Sequence, residues 1–458
     1  MSVLGRSIGW LDDRTGLARF GRSAAKKVFP DHWSFLLGEV ALFCFVILLA
    51  TGIFLTFFYV PSAAQIPYYG RYQPLLGSDV SAAFNSVLNI TFEVRAGLLV
   101  RQIHHWTALV FVGAIAIHMS RVFFTAAFRR PRDLNWVIGI GLLTLALAEG
   151  FTGYSLPDDL LSGIGLRIAY SALLSIPFLG PSLTFLLFGG EFPTAEIISR
   201  LFVIHTLLLP AIFIGAIGLH IGLTWLQKHT VYKGPGVTER TVKGPPFYPV
   251  QVFRSLGLFF LTAAVLALVA GLVQINPVWL YGPFVPYSAT VPAQPDWYVG
   301  WLEGALRLGP SFEPTIFGVT IPTPFIPGIL VPGILFTILA LWPFLERRFT
   351  HDTSEHHVLD WPWESPRRTG IGAAILTFFA VQMIAGANDV LATFLTIQVA
   401  TLTLLLQIGQ FVLPIAVGYA VYRLCRARRD RADRGLGDES GIAIQRNASG
   451  GFGEPEEP

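Results

Sequence analysis

Four histidines lie inside long apolar stretches of the chain, a setting in which an ionisable side chain is rare and usually functional. His104 and His118 share one stretch, and His205 and His220 share another. The first two are 14 residues apart, which in a helix returns to nearly the same face about 21 Å further along. The second two are 15 residues apart and stay on one side of their helix, at about 22 Å. Two antiparallel helices would therefore offer one imidazole each at two separate levels.

Paired imidazoles at two levels are suited to hold two iron porphyrins. Neutral imidazole binds iron well, and ligation by two histidines fills both axial positions, which favours electron transfer over oxygen binding. A lone histidine in a membrane helix is often only a hydrogen-bonding packing residue, but two matched pairs make that interpretation improbable. The sequence therefore predicts two haem groups, each bound between the two helices.

Arginines and glycines near these histidines support the prediction. Arg101 and Arg121 stand three residues outside His104 and His118, where haem propionates would need cations, although interfacial anchoring would explain them equally well. Two glycine pairs repeat the 14-residue spacing: Gly38 with Gly52, and Gly139 with Gly153. Glycine lets a flat macrocycle approach a helix backbone, although small residues also serve plain helix packing. The shared spacing favours the cofactor interpretation.

The composition predicts a membrane protein. Of the 458 residues, 53% are hydrophobic and only 13% charged, with a mean hydropathy of +0.58. Stretches of about 20 nearly uncharged residues are long enough to cross the bilayer as helices, and twice as long as barrel strands need to be. We predict eight such spans, at roughly 34–60, 100–123, 134–155, 199–225, 250–273, 325–346, 370–390 and 396–424. The expected fold is an all-α integral membrane protein.

Positive charges recur in alternate loops and predict the orientation of the spans. Residues 1–30 are basic and contain no apolar core of a signal peptide, so we expect them to stay in the cytoplasm. Arginines and lysines are also frequent after the second, fourth, sixth and eighth spans. By the positive-inside rule, we expect both termini to lie in the cytoplasm. We expect the protein to lie in the plasma membrane. The net charge of +3 reflects this topology, and no basic patch interleaved with aromatics indicates nucleic-acid binding.

We expect four segments along the chain. Residues 1–33 form a cytoplasmic segment, 34–225 a four-helix bundle that holds the haems, 226–424 a C-terminal membrane region, and 425–458 a disordered cytoplasmic tail. Cys44 and Cys425 are too few and too far apart for a disulfide framework or a thiolate cluster. The sequence therefore contains neither a cysteine cluster for an iron-sulfur centre nor a Cys-x-x-Cys-His motif for c-type haem.

Three sequence motifs resemble the cytochrome b family. The stretch from Arg101-Gln-Ile-His104-His105-Trp106 to His118-Met-Ser-Arg121, with Gly153-Tyr-Ser-Leu-Pro157, is similar to the second and third helices of that family. Pro295-Asp296-Trp297-Tyr298 resembles its Pro-Glu-Trp-Tyr motif, which lines the site of quinol oxidation. The resemblance runs from about residue 30 to 425. The segment Trp342-Pro-Phe-Leu-Glu-Arg-Arg-Phe349, with His356-His357, is similar to the actinobacterial branch.

The resemblance implies which histidines share a haem. His104 and His205 would ligate a low-potential b haem on the outer side, and His118 and His220 a high-potential b haem near the cytoplasm. The topology derived from charge gives the same order. Arg200 matches a family arginine near the outer haem. The chloroplast relative carries an additional haem bound through a cysteine, but the matching position here is about Leu36, so no covalent haem is expected.

The resemblance also implies an outer site for quinol oxidation. Asp296 would accept the proton, but its side chain is one methylene shorter than the usual Glu, so a water or a second carboxylate such as Glu303 could be needed. Glu303 could equally be a solvated surface acid. Tyr154, Pro157 and Tyr298 would shape the pocket.

An inner site for quinone reduction would lie near the cytoplasmic haem. Lys228 and His229 follow the fourth span, and Arg254 begins the fifth where a family lysine would stand. Ser255 replaces the aspartate of mitochondrial members. These three basic residues could equally be signals of membrane topology.

The expected activity is quinol:cytochrome c reduction, in which quinol oxidation is bifurcated between a Rieske iron-sulfur protein and the two b haems. The actinobacterial resemblance implies menaquinol as the substrate, and a dihaem cytochrome c and a haem-copper oxidase as partners; dimerisation is a family expectation. Two alternatives stay open. One is a dihaem membrane anchor of a dehydrogenase without bifurcation, and the other a transporter with a histidine proton relay, which would show no haem absorbance.

Overall fold

The computed structural model describes residues 9–10, 12–291, 293–433, 445–446 and 452–453. Eight helices in this part are long and apolar enough to cross a membrane, and we label them α1 to α8 in chain order. They are Trp33–Thr56, Gly97–Phe124, Asp133–Tyr154, Ile197–Gln227, Phe247–Leu272, Ile326–Thr350, Pro366–Gly386 and Val399–Ala432. All eight predicted spans are confirmed, and their ends differ from the predicted ones by a few residues. Helices form because backbone amides in lipid must find their hydrogen-bond partners within the same segment.

Shorter α-helices in the described part of the chain connect the spans or flank them. They are Leu17–Ala25, Ala82–Phe92, Leu160–Leu174, Gly180–Phe188, Val278–Tyr281, Trp297–Leu308 and Asn388–Leu395. Two of them begin at capping side chains: Ser81 Oγ accepts the Phe84 N–H at 3.1 Å, and Asp159 Oδ1 accepts the Ser162 N–H at 2.8 Å. Three antiparallel hairpins pair Gln65–Pro67 with Asp79–Ser81, Thr315–Ile316 with Val319–Thr320, and Gln445–Arg446 with Phe452–Gly453. None of these short elements was predicted.

The first four membrane helices surround an aromatic layer. Helix α1 packs on α2 and α3 packs on α4, while α5 lies against α1 and α2. Between them, the rings of Phe45, Phe111 and Phe213 meet with centroid separations of 5.4 to 6.1 Å. Phe111 stands seven residues from both His104 and His118, so this layer lies midway between the two histidine levels. Phe213 is 1% exposed, which makes the layer a dry part of the core.

The connecting segments gather on two faces of the molecule. On the first, which we call the basic face, the residues that follow α2, α4 and α6 meet each other and the N-terminal segment. Arg132 donates to the carbonyls of Lys228 and His356, and Arg129 pairs with Asp360 at 2.8 Å. These are the segments that the charge pattern predicted to lie together.

The opposite face is formed by the residues that follow α1, α3, α5 and α7. There Tyr59 donates its hydroxyl hydrogen to the Leu156 carbonyl at 2.6 Å. The Leu160 N–H donates to the Gly282 carbonyl, which joins the segment after α3 to that after α5. The chain therefore has two structured ends, each tied together across distant parts of the sequence.

The C-terminal helix is longer than predicted. It runs without interruption from Val399 to Asp433, past the boundary predicted at residue 424. The predicted tail begins in this helix, and most of it, at 434–444, 447–451 and 454–458, lies outside the described residues, as do residues 1–8 of the predicted N-terminal segment. The predicted division into four segments stays a prediction.

Candidate functional site

The four membrane histidines form two facing pairs between α2 and α4. The ring centroids of His104 and His205 are 6.3 Å apart, with their planes at 76°. Those of His118 and His220 are 6.5 Å apart, at 77°. The antiparallel course of the two helices brings the distant positions together. The pairing predicted from spacing is therefore the arrangement in the structure.

These separations fit one metal ion between the rings of each pair. Two imidazole-metal bonds of about 2 Å in line, with each bonding nitrogen about 1.1 Å from its ring centroid, put the centroids roughly 6.2 Å apart. Neither pair needs a change in helix spacing to accommodate such bonds. The site residues thus fit axial ligation of a porphyrin iron.

Each histidine also faces one of the four predicted glycines on the neighbouring helix. A Cβ atom on Gly38 would lie 3.2 Å from Cε1 of His118, and one on Gly52 would lie 3.3 Å from Cε1 of His104. A Cβ on Gly139 would approach His220 to 3.7 Å, and one on Gly153 would overlap the His205 ring. A side chain at Gly153 would therefore displace the imidazole, one at Gly38 or Gly52 would require a small shift of the ring, and a Cβ at Gly139 would make an ordinary contact.

The two pairs differ in the partners of their Nδ1 atoms. His104 Nδ1 is 2.9 Å from Thr51 Oγ1. His205 Nδ1 lies near three oxygens, the Glu149 carbonyl at 3.1 Å, Glu149 Oε1 at 3.2 Å and Thr152 Oγ1 at 3.3 Å. In the described part of the chain, Nδ1 of His118 and of His220 has no hydrogen-bond partner. Only the His104–His205 pair is therefore anchored through its second ring nitrogens.

Two of the three predicted arginines keep donors free in the interior. Arg101 donates from both terminal nitrogens to the Asn276 carbonyl at 3.2 Å, and Arg121 lies over the Phe35 ring at 4.9 Å. The Nε atoms of both are buried without a partner among the described residues, as a site for an acidic group would require. Arg200 differs: it donates to the carbonyls of Phe185 and Leu186 at the end of a short helix.

Asp296 lies in a small polar cluster on the opposite face. One carboxylate oxygen is 2.9 Å from His105 Nε2, and the other accepts the Tyr298 hydroxyl at 3.2 Å. Tyr298 is 2% exposed, and a Cβ added to Gly150 would lie 2.7 Å from its hydroxyl oxygen. Asp296 precedes the helix Trp297–Leu308, which fixes the direction of its side chain. The motif thus contributes a positioned acid and a buried phenol.

The other two residues predicted for this site differ in their placement. Tyr154 ends α3 within electrostatic reach of Asp296 and Tyr298, and a Cβ on Gly165 would lie 3.4 Å from its ring. Glu303 forms an ion pair with Arg307 one turn later, and Arg307 also donates to Asn388 Oδ1 at 2.6 Å. Neither of the two contacts that Asp296 makes involves Glu303. Glu303 is therefore neither the solvated acid of one interpretation nor a direct partner of Asp296.

Sequence reasoning missed three residues of this cluster. His105 stands next to His104 in the quoted motif, but its partner Asp296 is 191 residues away in the sequence. Burial raises the pKa of Asp159 to about 7, against the opposing effect of hydrogen bonds from Ser162. Burial raises the pKa of Tyr281 too, and the nearby charges of Asp159 and Asp296 raise it further. In the sequence, the adjacent acids Asp158 and Asp159, directly after Pro157, could have indicated that an acid belongs to this cluster.

A cavity of about 770 Å³ opens at the basic face. Its lining brings the His118–His220 pair together with all three residues predicted for the inner site, Lys228, His229 and Arg254. The His229 ring lies 4.3 Å from the Phe29 ring. Burial lowers the pKa of His229 to about 4, helped by the charges of Lys27 and Arg132, so this histidine is neutral at pH 7.

The same cavity contains a carboxylate that the sequence analysis overlooked. Glu39 accepts the Ser255 hydroxyl at 2.7 Å on one oxygen and the Gln251 amide at 2.9 Å on the other. Arg254 pairs with Asp31 at 3.0 Å. At the position where Ser255 departs from the mitochondrial aspartate, the chain therefore presents a carboxylate from α1 instead.

Comparison with known proteins defines the family. The family model described as "Cytochrome b(N-terminal)/b6/petB" matches residues 109–283. A cytochrome bc1 complex cytochrome b subunit of Mycobacterium tuberculosis is 47% identical over 100% of this chain and 83% of its own length. The corresponding subunit of Streptomyces coelicolor is 45% identical over 99% of the chain and 83% of its own length. A chain of a solved structure titled "Hyperthermophilic respiratory Complex III" shares the fold with a TM-score of 0.65 at 22% identity, and the match covers 91% of this chain and 100% of that one.

Fold, histidine frame and relatives together define a multi-pass membrane subunit of a respiratory complex. The chain belongs to the family of cytochrome b subunits of the cytochrome bc1 complex. It is thus a component of a quinol–cytochrome c reductase, and membership of the family implies that it binds b haem.

Proposed function

We propose that this subunit oxidises quinol at its opposite face and reduces quinone at its basic face, with two b haems between them. His104 and His205 ligate one haem, and His118 and His220 ligate the other. When bound, the haems supply two one-electron carriers that link the faces. The observation that carries the proposal is the pair of ring separations, 6.3 and 6.5 Å, at two levels of the same two helices.

The protein holds each cofactor through three kinds of residue. The four glycines leave room beside the imidazoles, the two histidine pairs would bind the haem irons, and Arg101 and Arg121 would offer their buried N–H groups to the propionates. Arg200 does not share this geometry, because its guanidinium is used by backbone carbonyls. The opposite-face haem is the low-potential one in this proposal, and the basic-face haem the high-potential one.

At the opposite face, Asp296 accepts a proton from quinol. A general base must lie within hydrogen-bond reach of the group that it deprotonates, in a site that excludes bulk water. The Asp296 side chain is one methylene shorter than the family's glutamate. Its contacts with His105 and Tyr298 hold the carboxylate in a fixed position. One electron leaves to a Rieske protein and the other crosses the membrane, which is the bifurcation expected of the family.

At the basic face, a haem between His118 and His220 would take one part of the cavity, and the part lined by Lys228, His229 and Arg254 would hold the second quinone. Neutral His229 can donate or accept a hydrogen bond, while Lys228 and Arg254 supply positive charge near the developing oxyanion. Glu39, held by Ser255 and Gln251, is the acid that delivers a proton. This arrangement replaces the aspartate that the sequence lacks.

The proposal includes orientation and partners. The concentration of arginine and lysine on the basic face supports a cytoplasmic position for this face and for both termini, so protons would leave on the outer side and enter on the inner side. The substrate is menaquinol, and the partners are a Rieske protein, a dihaem cytochrome c, a second copy of this subunit and a haem-copper oxidase. The relatives' place in the cytochrome bc1 complex supports the Rieske and cytochrome c partners, and the resemblance to the actinobacterial branch suggests the others.

The deciding experiment is menaquinol-driven reduction of a c-type acceptor by the purified complex, with the haem content measured in the same sample. We expect two b haems per polypeptide and turnover that depends on Asp296. A dehydrogenase anchor would also contain two haems but would show no such turnover. A transporter with a proton relay would show no reduced-minus-oxidised haem spectrum at all.

A further inference from the structure

Asp389 lies at the centre of a polar network beside the segment that leads into Asp296. Its two carboxylate oxygens accept the Gln294 side-chain amide at 3.1 and 3.2 Å. One of these oxygens also accepts a hydrogen bond from Arg307 Nη1 at 3.0 Å. Gln294 stands two residues before Asp296, whereas Asp389 is 95 residues from Gln294 in the sequence. Asp389 therefore joins the segment before the proposed base to a distant part of the chain.

Asp389 is itself held in place by its neighbours. It stands in the first turn of the short helix that begins at Asn388. Asn388 is 5% exposed, accepts a hydrogen bond from Arg307 at 2.6 Å and donates its amide to Thr403 Oγ1 of α8 at 2.9 Å. The Asp389 side chain is half-exposed, but the elements on both sides of it fix its position.

The helix that follows the proposed base, Trp297–Leu308, is packed too closely to shift. A Cβ added to Gly304 would lie 1.8 Å from the Gln382 carbonyl oxygen, and one added to Gly386 would lie 2.3 Å from the Gly300 carbonyl oxygen. These contacts bring the helix backbone directly against α7, and close packing of this kind resists displacement. The segment before the helix is therefore the part that needs a separate tether.

The link between Gln294 and Asp296 is short and stiff. Pro295 stands between them; its ring fixes one backbone dihedral angle and restricts the residue before it to extended conformations. Asp296 begins its helix without a hydrogen bond from its side chain to the helix N–H groups, so its carboxylate is free to face His105 and Tyr298. A tether at Gln294 therefore limits where the Asp296 carboxylate can lie.

We propose that Asp389 is a positioning residue for Asp296 that acts through the Gln294 amide. The inference rests on the proposed function, in which Asp296 accepts a proton from quinol at the opposite face. A small displacement of a catalytic group lowers the rate of reaction even when the substrate still binds. We therefore expect Asp389 to affect kcat for quinol oxidation and to leave KM for quinol nearly unchanged.

The test is steady-state menaquinol oxidation by the purified complex, with kcat and KM measured for wild type and Asp389→Ala. Alanine is a good helix former and removes both oxygens that accept the Gln294 amide. We expect kcat to fall about fivefold, the effect of one lost hydrogen bond, with KM within about twofold of wild type and the haem spectrum unchanged. Asp389→Asn restores an acceptor oxygen without the charge, so its kcat should return to within about twofold of wild type.

Gln294→Met removes the other half of the contact and should cause the same loss. Because the two variants break one contact, the double variant should be no slower than either single variant, whereas independent effects would multiply. Glu313→Ala is the matched control: Glu313 is also a loop carboxylate, between the helix Trp297–Leu308 and α6, and it accepts the Thr323 N–H at 3.2 Å. Its kcat should equal that of wild type.

The other outcomes also decide the matter. A wild-type kcat in Asp389→Ala overturns the inference, and so does a raised KM at constant kcat, which would make Asp389 part of substrate binding. An Asp389→Asn variant as slow as Asp389→Ala overturns it too, because the charge and not the hydrogen bond would then matter. If Asp389→Ala does not assemble, the kcat of Gln294→Met decides alone. Failure of the proposed function is distinguishable, because Asp296→Asn would then turn over at the wild-type rate in the same assay.

Discussion

The two histidine pairs between α2 and α4 have different surroundings at the two ends of the helices. At the opposite face, the proposed ligands are anchored through Nδ1, and Asp296 is fixed between two side chains in a small cluster. At the basic face, the proposed ligands have no side-chain hydrogen-bond partner at Nδ1 among the described residues, and Lys228, His229 and Arg254 line the same cavity beside them. In the proposed function, the acidic end suits the release of protons from a bound donor, and the basic end suits the capture of an acceptor that becomes anionic.

The largest expected effect separates the two ends altogether. His220→Ala should remove the basic-face haem and leave the opposite-face haem in place, since each haem would keep its own ligand pair. His104→Ala should do the reverse. The b-haem content per polypeptide, measured by pyridine haemochrome, should fall from two to one in each variant. Loss of both haems from a still folded subunit would contradict two independent sites.

Asp296→Asn should have the next largest effect. Removal of a positioned general base typically lowers a rate by about 10²–10⁴-fold. We expect quinol-driven cytochrome reduction to fall by roughly 100-fold, with the haem content unchanged. Glu303→Gln is the matched control on the same helix, because Glu303 pairs with Arg307, and its rate should stay within about threefold of wild type. Similar losses in both variants would return Glu303 to the proton path.

Glu39→Gln tests the basic-face acid. In an Asp296→Asn background, quinol can reduce the b haems only through the basic-face site, so that reaction isolates the cavity. In this reverse direction Glu39 would accept a proton from quinol, and we expect the rate to fall roughly tenfold, since water can replace Glu39 as the acceptor only in part. Asp31→Asn is the control, because Asp31 binds Arg254 at the exposed rim. Equal rates in the Glu39 variant and its parent would exclude Glu39 as the acid.

The smallest effect concerns stability at the opposite face. Because burial raises the pKa of Asp159 from 3.8 to about 7, the folded protein binds this proton more tightly than the unfolded chain, and stability falls as pH rises between these two values. Each pKa unit corresponds to about 1.4 kcal/mol. Asp159→Asn keeps a helix-capping side chain and should flatten the decline in thermal stability between about pH 4 and 7. Parallel pH profiles would refute this assignment.

Much of the frame was accessible from sequence because it is periodic. A 14- or 15-residue spacing within helices fixes the levels of the histidines and glycines, and charge-free runs fix the eight spans. These predictions depend only on local geometry and on the bilayer. His104 faces Gly52 and His118 faces Gly38 because the histidines and the glycines have the same 14-residue spacing in their two helices.

The polar partners were not accessible, because they join positions that no local rule connects. Asp296 meets His105 across 191 residues, and Ser255 meets Glu39 across 216. Arg200 was predicted to lie near the outer haem, but its side chain donates to backbone carbonyls at the end of a short helix. Neither periodicity nor charge counting contains the side-chain directions that decide such contacts.

The aromatic layer of Phe45, Phe111 and Phe213 has a consequence for energy conversion. Electrons tunnel through hydrocarbon, whereas ions need water or polar groups to follow them, and this layer offers neither at its centre. In the proposed function, negative charge that crosses the bundle would therefore not be neutralised along the way. The aromatic layer would act as the dielectric of a capacitor, so each electron that passed would leave a voltage across the membrane.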